Sequence, residues 1–96
     1  MYATVRRFEG VTDPSDVARQ VNEGFVPLIS RIPGCLSYSW VDAGGGVMVS
    51  ISLFENQAGA EEADRQAPAW VGKHIATLLP NPPQITAGEV VAHKAK

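Results

Sequence analysis

Ninety-six residues are enough for one domain and too few for two, so a single domain over 1–96 is expected. With 45% hydrophobic and 19% charged residues the composition is that of an ordinary globular chain and excludes disorder away from the ends. Eight Lys and Arg against ten Asp and Glu give a net charge of −2, which provides no clustered basic face for nucleic acid or for anionic lipid. Cys35 is the only cysteine, which rules out an intrachain disulfide and a thiolate zinc site. No apolar run approaches the roughly 20 residues of a membrane span. The first residues carry no secretory signal, and a cytoplasmic location is the default expectation.

The first element is a strand. Tyr2 to Glu9 is short, rich in β-branched and aromatic residues, and stops at Gly10. Asp13 then supplies a helix cap, Pro14 fits the first helical position, and Asp16 sets negative charge against the dipole's positive end. Val17, Val21, Phe25, Leu28, Ile29 and Ile32 follow at helical spacing as one apolar stripe. Pro27 lacks the N–H that would bond to residue 23, which predicts a kink or a break, and Pro33-Gly34 ends the helix.

A hairpin comes next. Cys35 to Asp42 and Val47 to Phe54 read as strands joined by the glycines of Ala43-Gly44-Gly45-Gly46, which tolerate positive φ. Asn56 caps a second helical region reaching to about Leu79 and interrupted at Pro68; Ala60, Ala63, Ala67, Trp70, Val71, His74, Ile75 and Leu78 form its apolar side. Pro80-Asn81-Pro82-Pro83 ends it, and Gln84 to His93 reads as a fourth strand before a basic tail, Lys94-Ala95-Lys96. The order β-α-β-β-α-β specifies an α+β fold of ferredoxin-like topology, a four-stranded antiparallel sheet with two helices on one face.

Strands two and three have no dry and wet side. Val47, Val49, Ile51 and Leu53 point one way and Met48, Ser50, Ser52 and Phe54 the other; Leu36, Tyr38 and Trp40 oppose Cys35, Ser37, Ser39 and Val41. No charge appears on either strand until Asp42. A sheet uncharged on both faces calls for a second covering layer, and a two-fold copy of the same chain is the economical one, so a homodimer through the sheet face is expected.

Ile32-Pro33-Gly34-Cys35 at the turn into strand two, Ser52-Leu53-Phe54-Glu55-Asn56 leading into the second helix, and a closing Gly88-Glu89-Val90-Val91 together resemble the dimeric α/β-barrel superfamily, in particular its antibiotic-biosynthesis-monooxygenase-like domains. The resemblance implies a ferredoxin-like dimer with a pocket between sheet and helices in each subunit. It also implies activity of the kind found in cofactor-independent monooxygenases on small phenolic compounds, and so no cofactor. The chain departs from the oxygenase pattern in two places. Arg6 and Arg7 stand on strand one where a pocket amide would be wanted, and Glu61 to Asp64 includes no histidine.

The candidate site residues each have a second explanation. Trp70 and His74 are four apart and share a helix face; they form either a pocket wall with His74 as proton acceptor, the candidate catalytic residue, or a buried tryptophan beside a partly exposed histidine. Tyr38 and Trp40 share a sheet face, to stack on a flat aromatic ligand or to pack across strands. Of Arg6 and Arg7, which face opposite ways, the buried one needs an acid, for which Glu89 is the candidate, with a ligand carboxylate as the alternative. No metal site is indicated, because two histidines lack carboxylates at ligand spacing. Three functions follow: an oxygenase of small aromatic compounds, a binding or stress-related dimer without catalysis, and a purely structural dimer.

Overall fold

The computed structural model describes residues 1–95. Four strands, β1 (Tyr2–Phe8), β2 (Cys35–Gly44), β3 (Val47–Phe54) and β4 (Gln84–Glu89), form one antiparallel sheet in the order β2-β3-β1-β4. This is the ferredoxin-like arrangement that the element order specifies. The β2–β3 hairpin turns tightly because Gly45 and Gly46 both hold positive φ, 62° and 77°, as a primed two-residue turn requires.

One face of the sheet is covered by helix. The first helical arm runs as α1 (Pro14–Gln20), a π-helical turn (Val21–Phe25) and α2 (Val26–Ser30). Asp13 caps it, its carboxylate accepting the Asp16 N–H at 3.2 Å. The disruption expected at Pro27 takes the form of that widened turn, in which Val26 N–H reaches back five residues to the Val21 carbonyl; the proline then falls in the first turn of α2, where no helical donor is needed. The second helix, α3 (Gln57–His74), starts at Asn56, whose side chain accepts the Gly59 N–H at 3.3 Å. The interruption expected at Pro68 does not occur. Pro68 and Asp64, whose carbonyl loses its helical donor there, are both exposed, so the lost bond falls outside the packed core. The helix ends at His74, and Ala76–Leu78 forms only a 3₁₀ turn.

Strand details also differ: β1 ends at Phe8 and not Glu9, and β2 runs past the expected Asp42 to Gly44, which still pairs with Val47. β4 stops at Glu89 instead of His93, because its partner β1 ends there; Val90 adds a single bond to the Met1 carbonyl at 2.9 Å. At the start of β2, Cys35 pairs with Phe54 but Ser37 with Leu53, so Leu36 is a bulge residue and does not share the face of Tyr38 and Trp40. The expected basic tail has no regular structure through Ala95, and Lys96 lies outside the described residues.

The core sits between sheet and helices. Val17, Val21, Phe25, Ile29 and Ile32 of the first arm meet Phe8, Met48 and Phe54 of the sheet and Ala60, Ala63, Ala67 and Trp70 of α3. The alanines bring α3 close to the strands. Among the described residues, no helix is long and apolar enough to cross a membrane.

Candidate functional site

The strand register builds the site. On the helix-covered face, Ile85, Arg6, Ser50 and Trp40 stand in one row across β4, β1, β3 and β2, and Ala87, Thr4, Ser52 and Tyr38 stand in the next. The middle of a buried sheet face is thus polar, with Thr4, Arg6, Ser50 and Ser52 all buried. The hydroxyls of Thr4 and Ser52 find no partner among the described residues.

Aromatic rings enclose this polar strip. Phe8 stacks on Trp40 with centroids 5.1 Å apart, and Phe25 meets Tyr38 edge-on at 5.3 Å and Trp70 at 5.4 Å. Trp40 donates its indole N–H to the Met48 sulfur at 3.3 Å. Trp70 fits because residue 24 is glycine: a Cβ there would come within 2.9 Å of its ring. Between these rings, Arg6 and Ser50 a gap of about 20 Å³ remains.

That gap backs onto a larger recess. Arg6, Phe8, Ala67 and Val71 line both spaces; on their far side, Asp64, Pro68 and Gly72 of α3 face Ile85 of β4 and Pro83 across about 400 Å³. This volume is within the range of small-molecule sites, about 300–1,000 Å³, and its walls are apolar apart from one ion pair. The ion pair corrects an expectation. Arg6 bonds to Asp64 of α3 and not to Glu89. In the register, Glu89 is opposite Tyr2, two rows away from Arg6, and its nearest cation is the N-terminal amine at 3.9 Å. Arg7, on the other face, pairs with exposed Glu9 at 3.0 Å.

Burial pushes the Tyr38 phenol up to about 12, against the weaker opposing pull of the Ser50 hydroxyl and the Arg6 charge. It therefore remains a protonated hydrogen-bonding group at neutral pH. Cys35 is raised by burial as well, away from a reactive thiolate.

The structure brings Arg6, Tyr38, Trp40 and Trp70 together and leaves His74 outside. His74 is exposed and lies tilted against the outer side of Trp70, ring centroids 4.9 Å apart, in a surface groove with Arg19 and Glu23. An acceptor within the pocket, as the four-residue spacing allowed, is not what this position provides, because the Trp70 ring stands between. Asp64, Phe8, Val71 and Ile85 are the pocket residues that sequence reasoning missed. The signal for Asp64 was its place three and seven residues before Ala67 and Val71 on α3.

No family model and no curated protein matches this chain. Solved structures do. A protein of unknown function from Nitrosomonas europaea superposes with a TM-score of 0.82 at 23% identity, covering 99% of this chain and 93% of its own. The monooxygenase ActVA-Orf6 of Streptomyces coelicolor, in complex with nanaomycin D, gives 0.76 at 17% identity over 99% and 91%. SnoaB, a cofactor-independent oxygenase from Streptomyces nogalater, gives 0.63 at 19% identity over 98% and 94%. The chain has the ferredoxin-like fold of these solved structures, and at these identities the likeness is one of fold.

Proposed function

We propose that this protein is a homodimer that binds a small aromatic or phenolic compound between its sheet and α3, and oxidises it with molecular oxygen as the cofactor-independent monooxygenases of the same fold do. The observation that carries the reading is the recess of about 400 Å³, apolar on most of its wall and charged only at the Arg6–Asp64 pair. The reaction class balances without an external reductant: a methylene between phenolic rings and O₂ give a carbonyl and water, the substrate supplying the electrons. Arg6 favours the ionised, more easily oxidised phenol. Trp40, Tyr38 and Trp70 close the inner end against water.

The dimer reading is supported by the other face of the sheet. Val5, Val41 and Ile51 are exposed there beside half-buried Val49 and Leu53, and the one charge on that side of β1 and β3 is Arg7 at the sheet's end. A second copy seated on it removes that apolar surface from water.

Aerobic oxygen uptake with a dihydroxyanthrone, using protein stripped of metal and flavin, tests the activity. The expected result is uptake equal to the quinone formed, with Trp70→Ala slower than wild type. Uptake no faster than in buffer removes the oxygenase reading. A second reading, a dimer that binds without catalysis, is favoured by a specific observation: near the recess Asp64 is held by Arg6, Tyr38 stays protonated to about pH 12, and His74 lies outside. Ligand binding with no uptake assigns this second reading.

A further inference from the structure

Arg6 and Asp64 form an unequal pair. The Arg6 side chain is 9% exposed and that of Asp64 is 48% exposed. The cation belongs to the interior, whereas its counterion reaches in from the rim. A guanidinium this deep keeps its charge and must be met by an anion. Yet it carries five donors, and among the described residues its only side-chain hydrogen bond is one from Nη2 to Asp64. Arg6 also forms part of both the outer recess and the inner gap, so its fork lies on the path of anything that enters.

We propose that the recess takes its aromatic ligand as an anion, with the charge at the edge of a flat ring, and that Asp64 is a built-in counterion which this ligand displaces from Arg6. The proposal rests on the reading above that the recess is a ligand pocket. Ile85, Val71 and Phe8 give the ring apolar surfaces, and the guanidinium at the inner end takes the charge in a two-pronged bond that neutral ligands do not make. Two carboxylates around one guanidinium in an apolar recess repel each other, and the one with access to water turns out. Asp64 has that access. It keeps the cation paired while the pocket is empty, and it lowers affinity for neutral ligands less than for charged ones.

Calorimetric titration of the full chain with 2-naphthoate and with its neutral amide, 2-naphthamide, tests this. Wild type is expected to bind the acid about tenfold or more tighter than the amide, the scale of a charge-assisted hydrogen bond. Asp64→Asn, which keeps shape and one acceptor, is expected to tighten naphthoate severalfold and leave naphthamide unchanged, while Arg6→Gln abolishes the preference. Equal binding of acid and amide to wild type overturns the inference and leaves the pocket reading intact, and so does a naphthoate affinity that Asp64→Asn does not raise. If neither compound binds to wild type or to folded Asp64→Asn, the pocket reading falls and the inference with it. Asp64 is at the exposed rim, so this variant decides the matter even where Arg6→Gln fails to fold.

Discussion

The two faces of the sheet differ in a way that reverses the usual rule. Under the helices, where apolar side chains are the norm, Thr4, Arg6, Ser50 and Ser52 are at most 7% exposed; on the open side Val5, Val41 and Ile51 are 36%, 42% and 40% exposed. Strand alternation makes the two sets neighbours in sequence, so the middle of β1 and of β3 gives polar groups to the covered face and Val or Ile to the open one, while Phe8, Met48 and Phe54 keep the ends of the covered face apolar. A polar strip inside a core costs stability unless it meets a ligand or a partner group, and an apolar sheet face in water costs it unless something covers it. The proposed associations answer each face in turn, a small molecule that meets Arg6 under the helices and a second copy on the open side.

Side-chain truncation gives the largest contrast. Phe54, fully buried on the covered face, is expected to cost about 3–5 kcal/mol as Phe54→Ala. Ile51→Ala, three residues away on the open face, is expected to cost about 1 kcal/mol or less in the dissociated chain and more in the assembled one. Urea unfolding at low and high protein concentration separates these terms; a cost at Ile51 that does not depend on concentration breaks the comparison.

Alkali reads the covered face through Tyr38. Its phenol is raised from 10.0 to about 12 in the folded chain, chiefly by burial. The unfolded chain ionises first, so this contribution is whole below pH 10 and is lost between pH 10 and about 12. The loss amounts to about 2–3 kcal/mol. Unfolding free energies across that window should fall by this much more in wild type than in Tyr38→Phe.

Smaller effects sharpen the contrast. Thr4→Val removes a buried hydroxyl that has no partner among the described residues, and is expected to raise stability by about 1 kcal/mol in thermal melts. Ligand affinity should not change, since Thr4 lies outside the recess. Arg7→Ala breaks only an exposed pair with Glu9 and should change stability by less than about 1 kcal/mol.

Much of this fold was legible in local chemistry. The limits of β3, the caps at Asp13 and Asn56 and the hairpin through the glycine loop each depend on a few adjacent residues, and the structure has them as expected, the loop shortened to Gly45-Gly46. That Pro27 disrupts its helix was legible, but not that it does so by widening one turn, nor that α3 runs unbroken through Pro68, because a helix absorbs a proline in more than one way. The site was half legible. Tyr38, Trp40, Trp70 and Arg6 do gather, but the acid that meets Arg6 stands on α3, 58 positions along the chain, and not on a neighbouring strand. Spacing put His74 on the same helix face as Trp70 and could not tell that the tryptophan ring would stand between it and the pocket.

Sedimentation velocity across micromolar dilutions tests the division of labour between the faces most directly. The expected result is a species of twice the 10.2 kDa chain mass that Ile51→Asp splits into folded single chains. A wild-type chain that sediments as a stable monomer at every concentration would contradict it.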